Sequence, residues 1–176
     1  MRGQVQLVKP TVLLREEYLD FYQEWIDSGE NMVPWVISKD PSNFEEMVQF
    51  LLDNEKDENL PENRVPDSTY WLVDHQNKVI GAVNIRHRLS EKLLQCGGHI
   101  GYGIRPSERR RGHAAMLLKL ALEKTKSLGI ERVLVVCDER NTASARTILR
   151  NGGSQDVSFI EEDGNVVLRF WIDVHS

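Results

Sequence analysis

Gly101-Tyr-Gly-Ile-Arg-Pro-Ser-Glu-Arg109-Arg110-Arg111-Gly112-His113-Ala114-Ala115 is the stretch on which the reading of this chain turns. The extended run His99–Arg105 stops at Pro106, because proline cannot donate to a sheet ladder. A basic triplet, a glycine and small residues follow and open the clearest helix of the chain, residues 112–128. Ala114, Leu117, Leu118, Ala121, Leu122 and Leu128 line one side of it, and Lys119, Glu123, Lys124 and Lys126 the other. Gly129 closes it. The first turn of a helix presents free N–H groups and the positive end of the dipole. Small residues there let a phosphate approach the backbone, and Arg109, Arg110 and Arg111 add positive charge. The stretch reads either as an anion site or as a tight strand-to-helix turn with an exposed basic triplet. It is not a Walker A loop, since no Gly-Lys-Ser/Thr closes it, and it is not a Rossmann Gly-x-Gly-x-x-Gly.

Outward from this centre, helical and strand periods alternate. Residues 5–9 alternate weakly, as a short strand does, and Pro10 ends them. Leu14, Tyr18, Phe21 and Trp25 recur at four, three and four, one face of a helix that Ser28-Gly29 closes. Residues 30–41 form a loop whose Trp35 either stacks on a ligand or staples the loop. Ser42-Asn-Phe-Glu45 has capping-box spacing and opens a second helix with Phe44, Met47, Val48 and Leu51 inward. Residues 53–67, acidic and with two prolines, read as a mobile loop.

From Thr69 the period is two. Thr69–Asp74 and Val79–Arg88 are strands around a turn at His75–Lys78. Arg132–Cys137 is apolar enough to be buried within a sheet. Asn141–Asn151 is a helix capped by Asn141 or Thr142, and Asp163-Gly164 is a hairpin turn between Val157–Ile160 and Val166–Ile172. The order βαα-βββ-α-β-α-ββ predicts a mixed sheet with helices on its faces, in one α/β (α+β) domain over residues 1–176.

Apolar residues make up 40% of the 176 and charged residues 28%, a globular balance. The longest apolar runs are Ala114–Leu118 and Val133–Cys137, far short of the roughly 20 residues a membrane span needs. No basic-then-apolar leader follows Met1. Cys96 and Cys137 make neither a disulfide framework nor a metal-ligand cluster, so a reducing cytoplasm and no metal are expected. The net charge of −5 argues against a nucleic-acid partner. That charge is uneven: residues 1–67 hold 15 acids and 6 bases, residues 68–176 hold 12 acids and 16 bases. Either the two halves face ligand ends of opposite sign, or these are solvated helix faces.

Arg109-Arg-Arg-Gly112-His-Ala114 resembles the Arg/Gln-x-x-Gly-x-Gly/Ala signature of the GNAT superfamily of N-acetyltransferases. Pro106 and the Asn141-x-x-Ser144 helix sit where that family has them, and the element order agrees from about residue 5 to 173. Tyr70-Trp71-Leu, Ile85-Arg86-His87, Gly97-Gly98-His99-Ile100-Gly101-Tyr102, Cys137-Asp138 and Asn151-Gly152-Gly153 are similar to a bacterial subgroup of predicted acetyltransferases. The resemblance implies a mostly antiparallel sheet with two splayed central strands. It implies acetyl-CoA as donor, direct transfer to a primary amine of a small-molecule or peptidic acceptor, and a homodimer as in many relatives. It puts the pyrophosphate on the amides of Arg110, Arg111, Gly112, His113, Ala114 and Ala115, beside Arg109. The pantetheine arm would lie along Tyr102, Gly103 and Ile104 like an added strand. The Ile104 N–H would be the oxyanion donor, worth about 3 kcal/mol. Asn141 and Ser144 would touch the cofactor from the next helix.

An acceptor amine must lose a proton to attack, and the thiolate must gain one. The nearest match to the family's base position is His99, whose imidazole titrates in the right range. The alternative is a structural histidine ordering Gly97-Gly98. His87 is a second candidate, its pKa lowered if Arg86 and Arg88 lie close. The family's tyrosine acid falls on Ile148 here, so Cys137, Ser144, Tyr102 or water must serve. The acidic half would concentrate a cationic amine. The rival reading is a noncatalytic acyl-CoA-binding or regulatory module.

Overall fold

The computed structural model describes residues 4–174, so both ends of the expected 1–176 domain lie outside it. Its elements are β1 Gln6–Val8, α1 Arg15–Ser28, α2 Phe44–Asp53, β2 Asp67–Val73, β3 Val79–Arg86, β4 Ile100–Ile104, α3 His113–Ser127, β5 Arg132–Asp138, α4 Thr142–Arg150, β6 Ser154–Ile160 and β7 Val166–Asp173. This is the predicted order, element for element. The strands form one sheet, β1-β2-β3-β4-β5-β7-β6. Every neighbouring pair is antiparallel except β4 with β5.

Helices cover both faces. On one, Tyr18, Phe21 and Trp25 of α1 and Phe44, Met47 and Leu51 of α2 are buried against Trp71, Val73, Val79 and Ala82. The Tyr18 and Trp71 rings stack with centroids 4.4 Å apart. On the other, Leu117, Leu118 and Ala121 of α3 and Ile148 of α4 pack on Val83, Ile85, Ile100, Val133, Val135 and Phe170. Each such large apolar side chain contributes about 1.5–3 kcal/mol of burial free energy. Leu128, assigned to the buried face of α3 by its spacing, is exposed beyond the helix end.

Local details depart from the sequence reading where polar side chains compete. The cap of α2 is Asn43, whose Oδ1 accepts the Glu46 N–H at 3.1 Å, not Ser42. Ser42 is bound by Asp40 instead, its N–H reaching Oδ1 at 2.9 Å. The segment expected to be a mobile loop has a short 3-10 turn at Asp57–Asn59. Ion pairs fasten it at Lys9–Glu55 (3.0 Å), Arg88–Asp57 (2.8 Å) and Arg64–Asp67 (3.2 Å).

β4 and β5 diverge almost at once. Their only register pair is Ile100 with Val135, while β5 pairs with β7 along its whole length. Arg105 explains where the end of β4 goes. Its guanidinium, in a residue only 3% exposed, donates to Asp20 (2.7 Å), Glu24 (3.0 Å) and the Val79 carbonyl (3.0 Å). These contacts hold the strand end against β3 and α1, away from β5.

Candidate active site

The gap between β4 and β5 is lined on one side by bare main chain. The Arg105 N–H reaches the Ile80 carbonyl at 2.9 Å, and the Arg86 N–H reaches that of His99 at 2.7 Å. Antiparallel ladders alternate, so Ala82–Gly103 and Asn84–Gly101 exchange hydrogen bonds while Gly81–Ile104 and Val83–Tyr102 do not. The main-chain groups of Gly103 are therefore spent on β3. Those of Tyr102 and Ile104 face the gap, and the Ile104 carbonyl takes the Arg109 Nε at 3.1 Å. Gly103 has a different duty. A Cβ there would occupy the space of the Val33 carbonyl oxygen, so only glycine lets the loop after α1 cross β4 at this point.

The gap widens into a cleft of about 820 Å³ ending at the first turn of α3. Tyr102, Gly103, Ile104, Arg109, Arg110, Gly112, His113, Ala114, Ala115, Asn141 and Ser144 all line it. Gly112 caps α3 with φ of 81° in the left-handed region, and nothing stands within 4 Å of where its Cβ would be. That empty space in front of unpaired helical N–H groups fits an anion. A second hollow, about 760 Å³, lies between Lys126–Arg132 and Asp173–Val174 and holds none of these residues.

The basic triplet divides by function. Arg109 turns back to Glu30 at 2.9 Å and lies over the Trp25 ring at 5.2 Å. Arg111 is not part of the cleft lining and turns to Glu108 at 3.5 Å. Lys78, at 2.8 Å, holds the Glu108 carboxyl below the usual carboxylate range. Arg110, with a left-handed φ of 65°, pairs with no carboxylate among the described residues. Neither do Arg146 and Arg150, one turn apart on α4 and both in the cleft lining. Their i, i+4 spacing, visible in the sequence, puts both on one face of α4.

On α4, Asn141 spends its Oδ1 on the Ser144 N–H at 3.1 Å, as an N-cap does. The Ser144 hydroxyl meets the Tyr102 hydroxyl at 2.9 Å. Burial raises the Tyr102 pKa, so the phenol stays protonated. Burial likewise pushes the Cys137 thiol up, in keeping with a small core residue. Ile148 is fully buried in the core.

The histidines stand elsewhere. His99 is 5% exposed and is not in the cleft lining. Its Nδ1 accepts the Leu134 N–H at 2.9 Å, and its own N–H reaches the Leu134 carbonyl at 2.7 Å. In a neutral ring the proton is then on Nε2, and no lone pair remains for a substrate proton. Burial, with Arg86 adding like charge, lowers its pKa to about 4. The expectation of a catalytic base at His99 therefore gives way to the structural reading, a histidine that pins β4 to β5. His87 also lies outside the cleft lining, its Nε2 2.8 Å from the Ser68 hydroxyl and its pKa lowered by burial.

A family model described as an acetyltransferase (GNAT) domain matches residues 11–154. The chain belongs to the GNAT acetyltransferase family. No curated protein sequence matches it. Solved structures share the fold of this acetyltransferase at low identity. A mutant form of the spermidine/spermine N-acetyltransferase SpeG from Vibrio cholerae is 16% identical over 97% of this chain and 94% of that one, with a TM-score of 0.66. The microcin C7 self-immunity acetyltransferase MccE, in complex with acetyl-CoA and AMP, is 16% identical over 97% and 91%, with a TM-score of 0.65. A structure described as a putative ribosomal-protein-serine acetyltransferase from Vibrio cholerae is 17% identical over 98% and 95%, with a TM-score of 0.64. No described helix of the acetyltransferase is long and apolar enough to cross a membrane.

Proposed function

We propose that this acetyltransferase uses acetyl-CoA and transfers the acetyl group directly to a primary amine of a small-molecule or peptidic acceptor. One observation carries the reading: β4 and β5 pair at a single position, and the main chain of Tyr102 and the N–H of Ile104, unused by β3, face the gap that ends at the α3 N-terminus. The N–H groups of Arg110–Ala115 would hold a pyrophosphate, with Arg110, Arg146 and Arg150 balancing its charge. The main chain of Tyr102 and Ile104 would pair with the pantetheine arm. Acetyl-CoA supplies the activated thioester. The Ile104 N–H is the donor to the oxygen on which charge develops.

Tyr102, kept protonated by burial and bonded to Ser144, is the group placed to hold the proton that the leaving thiolate needs. It fills the role that Ile148 cannot. The proton of the acceptor amine passes to water, since His99 has no free lone pair. The acidic first 67 residues attract a cationic amine, and neighbours of the same fold include a spermidine/spermine N-acetyltransferase. A second copy is an expected partner: β6 is an open sheet edge with Val157 and Ile160 exposed, and one neighbour is described as dodecameric. The free thiols of Cys96 and Cys137 suit a reducing cytoplasm.

Thiol release from acetyl-CoA, followed with a panel of mono- and polyamines, tests the reading. Amine-dependent release is expected. Tight binding of acetyl-CoA with no release for any amine would favour the noncatalytic module, the reading that Ile148 in place of the tyrosine supports.

A further inference from the structure

We propose that Asp67 and Trp35 form a subsite for a second cationic nitrogen of the acceptor, held shut in this structure by the side chain of Arg64. The inference deepens the amine-transfer reading and rests on it for which molecule fills the subsite. Asp67 opens β2 and is 2% exposed. Its Oδ2 takes the Arg64 Nη2 at 3.2 Å and its Oδ1 takes the Asn84 Nδ2 at 2.9 Å. The Arg64 guanidinium lies 4.7 Å from the centroid of the Trp35 ring. A carboxylate beside the cation and an indole face over it are the contacts that recognise an organic cation. Arg64 is thus an internal stand-in for such a ligand.

Arg64 is also free to leave. It lies in the connection between α2 and β2, outside both, and its side chain is 29% exposed. The other cation near Asp67 is not free. Arg86 donates its Nη1 to the carbonyls of Gly97 at 3.0 Å and Gly98 at 3.3 Å. Burial raises the Asp67 pKa, with Asn84, Arg64 and Arg86 opposing it, so a ligand cation in the place of Arg64 keeps this carboxylate compensated.

Asn84 extends the subsite from β2 to β3. It is fully buried, and its Nδ2 is spent on β2, on Asp67 and on the Thr69 hydroxyl at 3.3 Å. Its Oδ1 has no donor. Asn84 is the register partner of Gly101 on β4. Gly101 has no side chain there, and a Cβ would meet only Pro34 at 3.4 Å and the Arg86 guanidinium at 3.8 Å. An ammonium brings three N–H donors to acceptors that lack them. Acceptor groups therefore stand at Asp67 on β2 and Asn84 on β3, and β4 lies about 10 Å from β2 at ordinary strand spacing. The acceptor that fits is a linear diamine or polyamine, with a charged nitrogen at Asp67 and the neutral, reacting nitrogen near β4, where the Arg86 guanidinium disfavours a second charge.

Calorimetry with linear diamines of increasing length, and monoamines of matched length, tests this on the intact protein without an acetyl donor. Arg64→Ala is expected to tighten diamine binding by ~10-fold or more, the worth of a charge-assisted hydrogen bond. Adding Asp67→Asn or Trp35→Leu to it should abolish that gain and lower the preference for diamine over monoamine. The melting temperature of each variant, read alongside, separates lost folding from lost binding. If Arg64→Ala lowers the melting temperature and leaves diamine binding unchanged, Arg64 is a staple and the subsite is overturned. Equal losses for diamine and monoamine on Asp67→Asn would overturn it as well. Tighter diamine binding by Arg64→Ala in a protein that acetylates no amine would sustain the subsite and reject the transfer reading.

Discussion

The backbone N–H of Leu134 donates to Nδ1 of His99 across the one point where β4 and β5 still touch, at 2.9 Å. The bond makes the histidine a hinge pin of the splayed pair. His99→Ala should leave that buried N–H without an acceptor and cost about 1–3 kcal/mol of stability. Turnover per folded molecule should change less than tenfold. Urea unfolding and steady-state kinetics on the same sample measure both, and a hundredfold loss of kcat at unchanged stability would restore His99 as the base.

The same residue sets an acid limit. Its folded pKa, about 4, lies below the ordinary imidazole value of 6.5 because burial disfavours the charged ring. The unfolded chain therefore binds the proton first as pH falls. The contribution of neutral His99 is intact above about 6.5, and is lost progressively as pH drops toward about 4. Melting temperature against pH should fall through that window, and the fall should be shallower in His99→Gln.

Tyr102→Phe removes the proton that Ser144 shares and leaves the ring packing in place. The expected loss in kcat is roughly 10²-fold or more, the usual worth of a positioned acid, with little change in acetyl-CoA affinity. An acetyl thioester whose thiol has a low pKa needs no proton on leaving. It should be hydrolysed or transferred at nearly the same rate by both proteins, and an equal loss with both donors would count against an acid role.

At the α3 N-terminus, Gly112→Asp places a carboxylate where nothing now stands within 4 Å. The left-handed φ costs about 1 kcal/mol for a non-glycine residue, and the negative charge opposes a pyrophosphate. Acetyl-CoA affinity should drop at least tenfold in calorimetry. Arg146→Ala with Arg150→Ala should weaken it too and flatten its salt dependence. Unchanged affinity in both would move the cofactor elsewhere.

Arg105→Ala removes a buried guanidinium whose carboxylate partners Asp20 and Glu24 reach solvent, and leaves the Val79 carbonyl without its donor beside a void. The lost donor to a buried carbonyl costs about 1–3 kcal/mol. Denaturant titration reads the loss directly. A change below 1 kcal/mol would mean that the end of β4 is held by the sheet alone.

The sequence by itself determined the elements and the strand-to-helix turn at Arg109–Ala115. The four-three-four spacing of Leu14, Tyr18, Phe21 and Trp25, the stop at Pro106 and the small residues after Arg111 act through neighbours within a turn or two, where backbone geometry is set locally. Most of the cleft wall was legible for the same reason, Tyr102–Ile104 and Gly112–Ala115 being contiguous. What a side chain does once there was decided only by the tertiary structure. Arg109 and Arg111 look alike in the chain with Arg110, yet Glu30 and Glu108 claim the first and last. His99 alternates like a cleft residue but is claimed by Leu134, 35 positions away. Tyr102 finds Ser144 across 42 positions. Such pairings depend on which carboxylate, carbonyl or hydroxyl the fold brings within 3 Å, and no local periodicity records that distance.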